Sequence, residues 1–369
     1  MIRFPRILFY AVNGLGLGHV TRLLAIARKV RARSPEAEIV FLTSSEAEDV
    51  IFREGFAAFK VPSKTLRIEA HLRPSTYARM LQTVVLNLLA SFHPHVLVVD
   101  TFPAGTIQEL LPVLRWDSRK VFVYRVQRPE IATSAIVQNT LTLYDLAVVP
   151  HIEGEEEAPL PAGLDACWAG PIMIRDRADA LPREEARQRL GLPLDAPIVY
   201  VTFGGGGDCT VGASFELVLE ALTAEPLLDD RGRPAQYAAA SAPLFRGRTQ
   251  QRDRVTPLAY YPIAELFSAF DAAISAAGYN SATELLHHGI PTAFVPFARQ
   301  VDDQEARAQR IADAGAGLYL SDLQPCGVRT AVTRLLDPSV AAAMSERARA
   351  LVPMNGADKA AEAILELVR

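Results

Sequence analysis

The segment from Asp271 to Phe297 constrains the fold of this 369-residue chain more than any other. Asp271-Ala-Ala-Ile-Ser275 is a short apolar strand, Ala276-Ala277-Gly278-Tyr279-Asn280 is a small-residue turn, and a helix is expected from Ser281. Gly289-Ile-Pro291 breaks that helix, and Thr292 to Phe297 is a second apolar run. Two such strands joined through a helix make a βαβ unit of a parallel sheet. In such a unit the helix N-terminus opens above the carboxyl ends of the strands, where phosphates settle on backbone N–H groups. Gly278 allows close backbone approach, Asn280 or Ser281 can cap, and Glu284 follows one turn in. A carboxylate there is placed to accept two hydrogen bonds from a ribose diol.

The same pattern opens both halves of the chain. Ile7 to Val12 is a strand, Asn13-Gly14-Leu15-Gly16-Leu17-Gly18-His19 is a glycine-rich turn, and a helix is expected over Val20 to Arg33, with Leu23, Leu24, Ala27 and Val30 at helical spacing. A dinucleotide fingerprint would require Gly where His19 stands, and the next strand ends in Thr43-Ser44-Ser45 with no acid for an adenosine ribose, so NAD binding is a poor fit. His95 to Asp100 is the clearest buried strand of the first half, with a helix expected through Glu109 to Leu114. Asp100 either meets a ligand at the strand end or caps that helix. Val121–Tyr124 and Leu146–Val149 complete a parallel sheet of about five strands. In the second half, Ile198 to Phe203 runs into Gly204-Gly205-Gly206-Gly207, a turn whose amides can surround a phosphate, and then a helix near Ala213 to Leu222.

The chain is too long for one ordinary core, so two doubly wound α/β domains are expected. We place the boundary near Gly170-Pro171, giving domains 1–170 and 171–354, with an amphipathic helix expected over Lys359 to Leu367 in the terminal segment 355–369. A formal net charge of −4 gives no electrostatic case for nucleic acid as a partner. Cys167, Cys209 and Cys326 form no C-x-x-C pair, which argues against a zinc site and for a reducing cytoplasm. No apolar run of about 20 residues suggests a membrane span. Lys64, Arg67, His71, Arg73 and Arg79 form a basic, irregular segment before the apolar helix Met80 to Ala90, which is either core or a peripheral contact with a membrane's inner face. His287 and His288 diverge by about 100° on a helix and are expected on its surface.

Gly278-x4-Thr283-Glu284, His288-Gly289-Ile290-Pro291, Val295-Pro296-Phe297 and Asp303-Gln304 resemble the nucleotide-sugar site of GT-B glycosyltransferases. The likeness is to the inverting branch containing the N-acetylglucosaminyltransferase of peptidoglycan synthesis. It implies two Rossmann-like domains facing across a cleft, the terminal helix of 355–369 crossing back to the first domain, with Glu284 on the ribose and Asp303 and Gln304 on sugar hydroxyls. It also implies a donor lined by Gly278, Tyr279, Asn280 and Ser281, by Gly204, Gly205 and Gly206, and by the Val255–Tyr260 segment at Ala259, which frames the base through backbone groups. Gly16-x-Gly18-His19 with Arg22 resembles the N-terminal loop of the same proteins, its glycines approaching the donor pyrophosphate and His19 facing the acceptor. Asp100-x-x-Pro103-x-Gly105 resembles a turn of bacterial predicted glycosyltransferases of unassigned substrate.

The implied activity is inverting, metal-independent transfer from a nucleoside-diphosphate sugar, with UDP the first candidate, to a small or lipid-linked acceptor. No cofactor is implied. His19 is the candidate base, with Asp100 the next catalytic candidate. A histidine that caps its own helix is the alternative for His19. Arg22 is either a phosphate or acceptor contact or part of a solvated helix face, and Arg125 is a candidate for an anionic acceptor. Retaining relatives carry a second glutamate eight residues before the ribose glutamate, where this chain has Ala276. A nucleotide-sugar hydrolase or epimerase, or a nucleotide-sugar sensor without turnover, are the rival readings.

Overall fold

A computed structural model describes residues 4–12, 17–126, 129–155, 158–204, 209–240, 251–299 and 302–369. The chain divides into two compact units, Met1–Ile174 with Asn355–Arg369, and Arg175–Met354. The first is built on β1 (Arg6–Ala11), β2 (Glu38–Thr43), β3 (Ala57–Lys60), β4 (Val96–Asp100), β5 (Arg119–Val123), β6 (Leu146–Val149) and β7 (Asp165–Trp168). These pair in parallel in the order β3-β2-β1-β4-β5-β6-β7. The second is built on β8 (Ile198–Thr202), β9 (Gln236–Ala240), β10 (Val255–Leu258), β11 (Ala272–Ala276), β12 (Thr292–Val295) and β13 (Leu318–Tyr319). Its order is β10-β9-β8-β11-β12-β13, again all parallel.

Both sheets share one topological feature. The first winds from β1 outward to β3, then restarts on the other side with β4; the second winds from β8 to β10, then restarts with β11. Loops leaving β1 and β4, or β8 and β11, therefore diverge at a switch point and leave a crevice above the strand ends. The central strands are almost wholly apolar and buried, as helices on both faces require. Leu23, Leu24 and Ile26 of helix Gly18–Arg33 are fully buried, each contributing about 1.5–3 kcal/mol by leaving water.

Helix Ala357–Glu366 packs on helix Gly18–Arg33 within the first unit. Arg33 bonds Asp358 at 2.6 Å, and Lys359 Nζ donates to the Trp168 carbonyl at 2.7 Å. Asn355 Oδ1 accepts from Met173 N at 3.0 Å while its Nδ2 donates to Met173 O at 2.8 Å, a side chain acting as a strand would.

Three expectations are corrected. The helix expected after Asp100 does not form, and residues 101–118 are turns. Pro103 and the positive φ of Gly105 (+85°) and Gln108 (+64°) oppose it, and the buried Glu109 carboxylate takes the amides of Thr106 and Ile107. The basic segment is helical rather than irregular, forming Lys64–Glu69, capped by Ser63 Oγ on Leu66 N at 3.0 Å, and then Pro74–Phe92. Of the latter helix, Tyr77, Leu81, Val85, Leu88 and Leu89 are buried, so this face is core. His287 and His288 are buried, not on a helix surface. His287 Nδ1 lies 3.0 Å from the Val352 carbonyl, and burial, reinforced by His287 and Arg177, drives the His288 pKa down to about 3.

Candidate functional site

In the first unit, the chain leaves β1 and enters helix Gly18–Arg33 at Gly18; Gly16 lies outside the described residues. His19 is the second residue of that helix, whose N-cap is Leu17 with no side-chain cap bond, so His19 does not cap it. Its ring stacks on Phe102 at 5.8 Å between centroids. Its Nδ1 lies 3.2 Å from Asp100 Oδ2, an ion-pair contact not aligned as a hydrogen bond.

Asp100 ends β4, and its side chain is fully buried. It accepts from Arg22 Nη2 at 2.9 and 3.1 Å and from Thr101 Oγ1 at 2.9 Å. Burial alone would raise its pKa; the Arg22 charge first, then the His19 charge, together with the Arg22 hydrogen bonds, outweigh it and hold the carboxyl at about 2. Arg22 is only 2% exposed, so the solvated-face reading fails. With no helix after it, Asp100 does not serve as a helix cap either.

The turn that presents Phe102 to His19 is strained and buttressed. Thr101 is β-branched yet sits at φ +65°, a conformation that costs on the order of 1–3 kcal/mol. Beneath it, Glu109 accepts from Tyr10 Oη, from Thr106 N at 3.0 Å and from Ile107 N at 2.7 Å. Burial first, then the Glu109 charge, raise the Tyr10 pKa well above its usual value, keeping the hydroxyl a donor. Glycine is required at 105, since a Cβ there would lie 2.4–2.6 Å from the Glu109 carboxylate. Glu109 carries no local signal of this role, because an acid in an expected helix reads as solvated. Arg125 follows β5 and is half-buried.

In the second unit, Thr202 and Ser275 are register partners, so Gly204 and Gly278 leave adjacent strands at the same end. Gly204 has φ +85°; Gly205 and Gly206 lie outside the described residues. The helix begins at Tyr279, two residues earlier than expected, and Gly278 is its N-cap with no side-chain bond. Asn280 and Ser281 therefore lie inside the first turn and do not cap. The first intrahelical bond runs from Ala282 N to Gly278 O, so the positive end of the helix opens at residues 279–281.

Glu284 is half-buried one turn further. Burial, and secondarily the Glu284 charge, raise the pKa of Tyr200 on β8 against an opposing Thr202 hydrogen bond, which places Glu284 beside the strand that leads to Gly204. Gln304 Oε1 accepts from Phe297 N at 3.1 Å, and its Nε2 lies 3.7 Å from where a Gly278 Cβ would stand. Asp303 caps helix Gln304–Asp313 through Ala306 N at 3.0 Å. Ala259 follows β10 and is exposed.

One residue here escaped the sequence reading. Arg307 donates to Ala277 O at 2.9 Å, pairs with Asp302 at 2.8 Å, and lies 5.6 Å over the Tyr279 ring. It ties helix Gln304–Asp313 to the turn before helix Tyr279–His288; the Asp302-x4-Arg307 spacing was its only trace. Among the described residues no cluster of three or more His, Cys, Asp or Glu could hold a metal, and no helix is long and apolar enough to cross a membrane.

Residues 236–364 match the glycosyltransferase family 28 C-terminal domain. Across 97% of this chain and 96% of the relative, the sequence is 26% identical to a Desulforudis audaxviator protein, UDP-N-acetylglucosamine--N-acetylmuramyl-(pentapeptide) pyrophosphoryl-undecaprenol N-acetylglucosamine transferase. Among solved structures, the calicheamicin glycosyltransferase CalG4 superposes with a TM-score of 0.63 at 18% identity, covering 100% of this chain and 99% of that one. Acinetobacter baumannii MurG superposes at 0.60 with 14% identity, covering 98% and 99%. Both likenesses concern the fold.

Proposed function

We propose that this chain, a glycosyltransferase of GT-B fold resembling the peptidoglycan N-acetylglucosaminyltransferases, transfers a sugar from a nucleoside-diphosphate donor with inversion and without a metal. UDP is the first candidate nucleotide, since the relatives are named for a UDP-sugar. The observation that carries the reading is that each sheet places its candidate loops at its switch point: His19 and Asp100 above β1 and β4, Gly204 and Gly278 above β8 and β11.

In the second unit the amides at the start of helix Tyr279–His288 stabilise the departing diphosphate. Glu284 accepts from the ribose hydroxyls, Asp303 and Gln304 contact the sugar, and the backbone at Ala259 frames the base. In the first unit His19 takes the acceptor proton on Nε2, since Nδ1 faces Asp100. As the acceptor oxygen bonds to the anomeric carbon, the bond from that carbon to the diphosphate oxygen breaks. Asp100 stabilises the imidazolium, and Arg22 keeps Asp100 ionised. Arg125 meets an anionic part of the acceptor.

A lipid-linked acceptor is supported by the relatives' undecaprenol substrate. Ile68 and Met80 are exposed on the two helices that carry Lys64, Arg67 and Arg79, which suits peripheral contact with the inner face of a membrane.

A thermal-shift screen over nucleotides and nucleotide sugars identifies the donor, because a ligand at about 100 times Kd adds about 2.7 kcal/mol of stability. Turnover is then measured with and without acceptor lipids. Transfer that needs the acceptor supports the proposal. Equal turnover without acceptor makes the chain a hydrolase or epimerase, and binding without any turnover makes it a sensor.

A further inference from the structure

We propose that the second unit carries another ligand site, away from the donor loops, that takes an amphipathic anion: an apolar body ending in a carboxylate, sulfonate or phosphate. A cavity of about 660 Å³ lies along β13, the edge strand, walled by helices Pro325–Leu336 and Pro338–Leu351. Small-molecule sites span roughly 300–1,000 Å³. Leu318, Leu320, Val340 and Met344 line it and belong to or pack on the core of this unit, so an apolar body entering it leaves water.

Two cations share this wall. Arg334 and Arg347 line the cavity, and neither makes an ion pair or side-chain hydrogen bond with any described residue. By contrast Arg187, Arg233, Arg252 and Arg307 of the same unit each meet a carboxylate. Arg347 is folded down onto Gly315, at φ +63°: a Cβ there would lie 2.7 Å from its Nη1 and 3.2 Å from its Cδ. That missing side chain lets the guanidinium rest on the turn before β13.

Arg334, in the last turn of helix Pro325–Leu336, lines the same cavity as Gly315, which precedes β13. The donor loops leave the opposite, carboxyl ends of the strands. Both guanidiniums are exposed on the wall of this cavity, and an anionic group there would accept charge-assisted hydrogen bonds from them.

The probe is 8-anilinonaphthalene-1-sulfonate, an apolar anion that fluoresces when shielded from water. It should bind the full chain saturably at one site, weaken about tenfold in Arg334→Gln/Arg347→Gln, and be lost when Ala343→Trp fills the cavity mouth. Nucleotide binding should be unchanged in both variants, which confirms folding. On the unaltered protein, decanoate should displace the dye and 1-decanol at equal concentration should not. Dye binding that survives both variants, or fails to saturate, overturns the site. Loss in Ala343→Trp alone, or equal displacement by decanol, overturns recognition of the anion.

Discussion

Replacing Asp100 by Asn tests the buried network that is proposed to hold His19. The carboxylate is fully buried, with Arg22 at 2.9 and 3.1 Å and Thr101 Oγ1 at 2.9 Å. Burial works to raise its pKa, yet Arg22 and His19 bring it from 3.8 to about 2. That depression corresponds to on the order of 2 kcal/mol of stability at neutral pH. Because the folded value is depressed, this contribution is complete above the ordinary carboxylate range and is lost as pH falls through about 2. Asp100→Asn removes it and leaves the Arg22 guanidinium buried without its counter-charge, so the loss should reach about 3–5 kcal/mol. Arg22→Met with Asp100→Asn removes both charges and should recover most of that loss. Trp116 and Trp168, the two tryptophans of the chain, both lie in the first unit, so their fluorescence in urea follows that unit by itself. A loss under about 1 kcal/mol in the single variant, or a double variant no more stable than the single, would show that the Arg22–Asp100 pair does not stabilise this unit.

Other outcomes follow from the same geometry. Gly105→Ala drives a Cβ into the Glu109 carboxylate and should lower the first unit's stability by about 1–3 kcal/mol, read by the same fluorescence; an unchanged midpoint removes the clash argument. Glu284→Ala should weaken a bound nucleoside diphosphate by roughly 1.5–3 kcal/mol in calorimetry, and a 2′,3′-dideoxy nucleotide should bind the unaltered chain almost as weakly. Equal affinity in the variant takes Glu284 out of the site. Transfer should proceed in EDTA, whereas loss restored by magnesium or manganese would show that helix dipoles do not replace a metal here.

The central strands and their glycine turns were legible because a buried parallel strand needs a continuous apolar run and a glycine turn changes that rhythm abruptly. β3 and β7 were not, since edge strands such as Ala57–Lys60 and Asp165–Trp168 bury little and lose the apolar signal. The length of Glu109's reach was equally hidden: its carboxylate bonds backbone that a periodicity argument assigns to a helix. His287 and His288 misled because helix position tells direction, not what packs there; Phe267 meets His288 edge-on at 5.2 Å. Arg22 and Asp100 were each singled out, but a pairing across 78 residues depends on β1 and β4 being neighbours, which local pattern does not specify.

The proposed role of His19 as base is tested by comparing His19→Ala with the unaltered protein, using the donor found by the thermal-shift screen and an acceptor that supports transfer. Donor affinity should be equal within error and the turnover rate lower by about 10²–10⁴-fold. Full turnover in His19→Ala, with donor affinity intact, would show that His19 does not take the acceptor proton.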